Sequence, residues 1–267
     1  VQADAALTVE GLSVSYPPRQ VLDQVSFSLA QGAFCGLIGS NGSGKTTLLR
    51  SILGFVTPDS GRVIKAGAVG YVPQKIQFDA DMPLRARDMV ALGLDGHRFG
   101  LALPSRRRRA LVADMLAAVG ATDFADQRIG NLSGGQQQRV MIAHALVRAP
   151  RLLLLDEPLA NLDIKAVAEI VGLLRDIART RGVTVLVSAH DMNPLLGVMD
   201  RIVYLAHGRA ASGSTEAVVR TEVLSGLYGY HIDVIRVHGR VLVIAAGAAD
   251  EIPAKLDEHP AHVAAIP

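Results

Sequence analysis

The chain has 267 residues, 49 % of them hydrophobic and 19 % charged, ample for a buried core in one large domain or two intimate lobes. A formal net charge of +2 argues against a nucleic-acid partner, and the absence of tryptophan with only 4 % aromatics argues against a stacking platform for single strands. The one cysteine, Cys35, excludes an internal disulfide, and its apolar setting in "GAFCGLIG" reads as a small core residue.

The opening "VQADAALTVE" lacks the basic start and apolar stretch of a signal peptide. No run reaches the roughly 18 apolar residues that span a bilayer. The expectation is a chain in the cytosol, or one held at the cytosolic side of a membrane by something else. "LTVEGLSVSY", "VLDQVSFSL" and "GAFCGLIG" read as strands, with antiparallel pieces preceding a buried one. In "KTTLLRSILG", Leu48, Leu49, Ile52 and Leu53 have helical spacing and Gly54 is the stop. "GAVGYVPQ" ends a further strand.

From about residue 76 the pattern turns helical. "RRRRALVADMLAAVG" places Leu111, Val112, Met115, Leu116 and Val119 on one face, capped by Ser105 and stopped by Gly120. The run Arg106 to Arg109 reads as a solvated helix start. "SGGQQQRVMIAHALVRAP" is a helix ended by Pro150, "RLLLLDEP" a buried strand, "DIKAVAEIVGLLRDIARTRG" an amphipathic helix and "VTVLVSAH" another buried strand. Buried strands alternating with helices imply a parallel sheet covered on both faces. "RIVYLAHGRAASG" and "IDVIRVHGRVLVIA" each read as a hairpin about His-Gly, and "DEHPAHVAAIP" as a frayed tail.

Three stretches carry chemistry. Gly39, Ser40, Asn41, Gly42, Ser43, Gly44, Lys45 and Thr46, followed by Thr47, fit G-x-x-x-x-G-K-[ST] between a strand and a helix. Glycines let backbone N–H groups face a phosphate, the helix start adds partial positive charge, Lys45 reaches the β and γ phosphates, and the Thr46 hydroxyl suits Mg²⁺. Asp156 and Glu157 close a leucine strand at the end where open α/β sheets bind ligands. Asp156 suits Mg²⁺ through water, and Glu157 suits a general base. In "NLSGGQ", Ser133 and Gln136 form a capping box, which leaves Gly134 and Gly135 unexplained because glycine weakens a first helical turn. Close approach of a ligand to that helix start would explain them.

"NLSGGQQQR" shortly before "LLLLDEP" resembles the signature motif of the ATP-binding-cassette (ABC) ATPases. Other parts follow in that family's order. Tyr16 resembles the aromatic that stacks on adenine, Gln74 in "YVPQ" the Q-loop glutamine, Asn161-Leu162-Asp163 the D-loop, and His190 in "VSAHD" the switch histidine. Asp163 is also a natural N-cap for the helix after it. The resemblance implies a P-loop NTPase fold with an antiparallel β subdomain, a parallel-sheet core and an α-helical subdomain. Residues 1–230 would be the ATP-binding domain, with its helical part at about 76–150, and 231–267 a short β-hairpin extension and tail.

The resemblance further implies ATP and Mg²⁺ as ligands. Gly39 to Thr47 would hold ATP, with Thr46, Asp156 and Gln74 at Mg²⁺, and Glu157, His190, Gln74 and Asp163 would serve hydrolysis. Two copies would sandwich ATP head to tail, each site closed by the other copy's Ser133, Gly134, Gly135 and Gln136. Partners would be transmembrane permease subunits at the cytoplasmic face and, indirectly, a substrate-binding protein, with no nucleic acid. "YVPQKIQFDADMPLRARDMVALG" and "AHDMNPLLGVMDRIVYLAHG" resemble the zinc, manganese and iron importers, although "ANLD" stands where "SALD" is more usual. A siderophore, haem or vitamin B12 importer, an exporter ATPase, and a soluble ABC ATPase are the alternatives. The last would call for long heptads or a duplicated cassette. His231, His238, His259 and His262 lack the tight spacing of a zinc site.

Overall fold

The leucine run Leu152–Leu155 is buried throughout, and a strand with both faces buried has to lie inside a sheet rather than at its rim. The computed structural model, which describes residues 5–74, 78–95 and 105–245, places it there. Six strands pair in the order β5 (Val69–Val72), β6 (Leu152–Leu155), β7 (Thr184–Ala189), β3 (Phe34–Ile38), β8 (Arg201–Ala206) and β9 (Arg209–Gly213). The first five are parallel and β9 returns antiparallel. The segments that leave β3, β5, β6 and β7 therefore emerge at one edge of the sheet.

Alternation along the strands divides the core in two. Cys35, Leu37, Leu152, Leu154, Leu186, Val203 and Leu205 face the helix α1 (Lys45–Leu53), whose Leu48, Leu49 and Ile52 are fully buried. The same layer includes a three-stranded antiparallel sheet ordered β2 (Arg19–Ala30), β1 (Ala5–Tyr16) and β4 (Ser60–Lys65). Phe34, Ile38, Leu153, Leu155, Val185 and Val187 face the other way, into a cluster with α4 (Gly134–Leu146) and α5 (Ile164–Arg181). That cluster continues into α2 (Ala86–Asp95) and α3 (Arg106–Ala118). Asp200 fixes the start of β3 by exchanging bonds with Phe34: its carboxylate accepts from Phe34 N and its N–H donates to Phe34 O, both at 2.8 Å.

Toward the C-terminus come α6 (Thr215–Val218), α7 (Thr221–Tyr228) and a hairpin of β10 (Ile232–Val237) with β11 (Arg240–Ala245). Both expected His-Gly hairpins form. His207-Gly208 and His238-Gly239 have positive φ at both positions, as a tight two-residue turn between twisted strands requires. The expected tail "DEHPAHVAAIP" lies outside the described residues. Among the described residues, no helix is long and apolar enough to cross a membrane.

Three features differ from the sequence expectation. β4 was not expected, because "SGRVIK" shows its side chains largely to solvent and carries no apolar rhythm. The helices α6 and α7 are too short for their periodicity to stand out. Leu111 is 38 % exposed, whereas Val112, Met115, Leu116 and Val119 are buried, so the apolar stripe of α3 begins one residue later. The cap and stop around this helix are as expected: Ser105 accepts from Arg108 N, and Gly120 follows with positive φ.

Cys35 lies in β3 with no exposed surface, and burial pushes its thiol up to about 12. Since thiolate is the reactive species, a disulfide-exchange reagent at about pH 8 should modify no cysteine in the folded chain and one per chain in guanidinium. Rapid modification without denaturant would show that β3 opens in the native state.

Candidate functional site

The loop between β3 and α1 is shaped by its glycines. A Cβ on Gly39 would lie 2.3 Å from Leu205 O and 2.6 Å from Ser43 Oγ, so only glycine fits. Gly44 has φ of 107°, and a Cβ there would meet Leu22 Cδ2 at 2.8 Å. The loop closes around its own lysine: Lys45 Nζ donates to Gly39 O at 2.7 Å and Ser40 O at 3.1 Å. The N-cap position of α1, Gly44, has no side chain to cap the helix, so the first-turn N–H groups lack a side-chain acceptor there. Ser43 Oγ is buried without a partner among the described residues. Such a cradle suits a phosphate.

The end of β6 supplies the opposing acids. Asp156 is 2 % exposed; its Oδ1 accepts from Ser188 Oγ at 2.8 Å and its Oδ2 from Thr46 Oγ1 at 3.2 Å. The Glu157 backbone is left-handed at φ of 48°, a conformation few non-glycine residues hold, and Glu157 N donates to Ser188 Oγ at 2.8 Å. Its carboxylate lies between Gln74, which donates from Nε2 at 2.6 Å, and Lys45 Nζ at 3.5 Å. Strands β5, β6, β7 and β3, adjacent in the sheet, thus bring Gln74, Asp156, Glu157, Lys45 and Thr46 together.

A cavity of about 290 Å³ opens among them, lined by Val21, Asn41, Gly42, Gly44, Lys45, Thr46, Thr47, Gln74 and Glu157. A smaller one of about 150 Å³ joins Glu157 to His190, the residue that follows β7. Tyr16 ends β1 with 46 % of its surface exposed, free to take a flat ligand. The donor set fits a phosphate with a hard divalent cation: an ammonium, backbone N–H groups, a hydroxyl and a carboxylate. Gln74, expected at the cation, here has its amide on Glu157.

Sequence reasoning missed Ser188. One hydroxyl in the run "VTVLVSA" holds both the buried Asp156 carboxylate and the strained Glu157 N–H. Its signal was a polar residue inside an otherwise apolar strand.

Ser133, Gly134, Gly135 and Gln136 do not line the Lys45 cavity. They line a separate cleft of about 280 Å³ with Arg139, Asn161, Asp163 and Glu169. The capping box is formed: Gln136 N donates to Ser133 Oγ at 3.3 Å, and Ser133 N donates to Gln136 Oε1 at 2.9 Å. Asp163 caps α5 by accepting from Ala166 N at 2.8 Å. Gly135 has an internal reason that the sequence did not reveal. A Cβ on Gly135 would crowd Ala166 Cβ at 3.3 Å, whereas one on Gly134 would meet Leu162 Cδ2 at an ordinary 3.4 Å. Close packing of α4 on the start of α5 accounts for part of what was assigned to a ligand. Among the described residues no group of three or more His, Cys, Asp or Glu could hold a metal ion, and His259 and His262 lie outside them.

Residues 22–160 match the ABC transporter family. The manganese transport system ATP-binding protein MntA of Synechocystis is 35 % identical over 84 % of this chain and 90 % of its own. The zinc import ATP-binding protein ZnuC of Pseudomonas entomophila is 35 % identical over 88 % of each chain. Among solved structures, the inward-facing conformation of a transporter described as metal-chelate type superposes with a TM-score of 0.78 at 28 % identity, covering 90 % of this chain and 96 % of that one.

Ser188→Ala leaves a buried carboxylate oxygen and a backbone N–H without their shared partner. It should cost about 1–3 kcal/mol in guanidinium unfolding. A loss below about 0.5 kcal/mol would show that water takes the place of the hydroxyl.

Proposed function

The chain belongs to the ABC transporter family, and from that premise we propose that it is the ATP-hydrolysing subunit of a membrane transporter importing a divalent metal ion: manganese, zinc or iron. The observation that carries the reading is the convergence of Lys45, Thr46, Glu157 and Gln74 on one cavity, with Asp156 bonded to Thr46 behind it and a second helix start at Ser133 in a different cleft.

ATP belongs on Gly39–Thr47, with its base against Tyr16. Mg²⁺ belongs with Thr46, Asp156 and Gln74, where it would neutralise phosphate charge. A phosphate in this loop competes for Lys45 Nζ with Gly39 O, Ser40 O and Glu157. Glu157, kept in place by Gln74, is then free to accept a proton from water as general base, with His190 beside it in the adjoining cavity. One lysine cannot offset the charge of ATP. The Ser133–Gln136 helix start of a second copy supplies the remaining N–H groups, and Asp163 lies in that same cleft at the junction. ATP thereby favours a closed head-to-tail pair through contacts that exist only in that state.

The residues after Gln74 lead to α2. Between α2 and α3 lies a cleft of about 540 Å³, rimmed by Arg87, Asp88, Arg108 and Arg109 over Val112 and Leu116. Four arginines at the start of α3 oppose its dipole, a placement that costs helix stability and suits a polar partner. This is where a transmembrane permease subunit would dock, holding the chain at the cytoplasmic face. A substrate-binding protein would act across the membrane. Residues 1–230 form the ATP-binding domain in this reading, and 231–267 are an extension. The names of the two relatives support manganese or zinc as cargo. The metal-chelate neighbour favours a second reading, in which the metal arrives bound to an organic chelator.

Glu157→Gln should slow ATP hydrolysis roughly 10²–10⁴-fold. It should retain ATP binding and run as an ATP-dependent dimer on a sizing column; hydrolysis at the parent rate removes Glu157 from the base role. Ser133→Arg should bind ATP yet stay monomeric. Loss of binding itself would contradict the two-half arrangement. Cells lacking the chain should lose uptake of one of the free ions Mn²⁺, Zn²⁺ or Fe²⁺. Loss confined to chelated metal selects the second reading, and unchanged uptake of all of them removes the cargo assignment.

A further inference from the structure

His190 is exposed, and among the described residues nothing hydrogen-bonds its imidazole. Its position is set by the backbone that follows it. Asp191 Oδ1 accepts from Asn193 N at 2.9 Å and from Asn193 Nδ2 at 2.7 Å, closing a tight turn directly after the histidine. Met192 and Leu195 are buried and pin the turn to the core.

Asn193 has a second attachment, to the far end of the chain. Its Nδ2 also donates to Val241 O at 3.0 Å, and its Oδ1 accepts from Val241 N at 2.8 Å. Val241 stands opposite Arg236 in the β10–β11 hairpin, yet both of its backbone polar groups are turned to Asn193. One side-chain amide thus fills, at the outer edge of β11, the place that a third strand would take. The hairpin is anchored in turn. Ser225 Oγ accepts from Ile232 N at 2.9 Å, Thr221 Oγ1 accepts from Val234 N at 3.2 Å, and Arg236 Nη2 donates to Val219 O at 3.2 Å.

We infer that Asn193 is a positioning residue for His190, and that the C-terminal hairpin is the fixed body against which it positions the histidine. The inference rests on the role given to His190 above. A histidine with no bond of its own keeps its place only as well as its loop does. This loop is held from two sides through one amide: by Asp191 next to the histidine, and by Val241, 48 residues further along the chain. The hairpin therefore sets the rate of ATP cleavage without touching ATP. Were Asn193 only closing a strand edge, its loss would lower stability and leave turnover alone.

The test compares kcat, KM for ATP and melting temperature of the full-length chain with those of Asn193→Ala, Asn193→Asp, Val241→Pro, His190→Ala and the Asn193→Ala/His190→Ala double variant. Asn193→Ala should lower kcat about 10- to 100-fold, the scale of a misplaced group, with KM within about threefold. Asn193→Asp, which loses the donors to Val241 O and Asp191, should behave like Asn193→Ala. Val241→Pro, which removes the hairpin's N–H while sparing Asn193, should lower kcat likewise. In the His190→Ala background, adding Asn193→Ala should change kcat by less than about twofold. Full additivity, or a lower melting temperature at unchanged kcat, overturns the inference. A folded Val241→Pro chain with parent kcat overturns the hairpin's part in it. Parent kcat in Asn193→Asp, which lacks the donor to both Asp191 and Val241 O, overturns the inference as a whole whether or not Val241→Pro folds. His190→Ala at the parent rate removes the role of His190 itself and this inference with it. An impaired His190→Ala beside an unimpaired Asn193→Ala removes this inference alone.

Discussion

A buried ammonium must be surrounded by oxygen, because removing it from water without partners costs more than any packing returns. Lys45 is 5 % exposed, and the site is arranged around that fact. Its loop folds back so that two of its own carbonyls reach Nζ, which is possible only where Gly39 can lie against Leu205 and Gly44 can take a left-handed turn. The third contact comes from Glu157, so β6 must end at the same edge as β3. Parallel pairing through β7 satisfies that requirement.

The strand between them is more than a spacer. β7 carries Ser188, whose hydroxyl joins Asp156 to Glu157 N, while Asp156 also receives Thr46 from α1. Three elements meet in one polar network inside an apolar sheet. Such networks are cooperative: each bond polarises the next, and the low dielectric raises the cost of any unmade one. The strained backbone of Glu157 persists because these partners over-determine it.

The parts legible in the sequence were those whose chemistry fixes residue type at short spacing. Lys45 and Thr46 follow their glycines, Asp156 and Glu157 end a leucine strand, and Ser133 and Gln136 cap a helix three residues apart. Partners brought together by the fold were illegible. Nothing local says that Ser188 will meet Asp156 across 32 residues, or that Asn193 will meet Val241 across 48. The same blindness assigned Gly135 wholly to a ligand, since only the fold places Ala166 against it. Leu111 and β4 escaped for a different reason. Each lies at the margin between core and solvent, where apolar pattern and burial part company.

The second cleft holds two helix starts side by side, and their caps decide what each can bind. The N-terminus of α5 is capped by the carboxylate of Asp163, which accepts from Ala166 N and offsets the partial positive charge of its own helix. The N-terminus of α4 is capped by a neutral hydroxyl, Ser133, and has no acid in its first turn. Arg139, further along α4, is already paired with Glu169 at 2.8 Å. An outside anion therefore meets, at Ser133–Gln136, helix-start N–H groups with no carboxylate cap of their own, whereas at the start of α5 the Asp163 carboxylate is already in place and Lys165 is the cation on offer. Within one chain those N–H groups face a cleft separate from the Lys45 cavity. On the two-copy reading, the same asymmetry selects α4 as the helix that closes over another copy's phosphates and leaves α5, through Asp163, to line the junction.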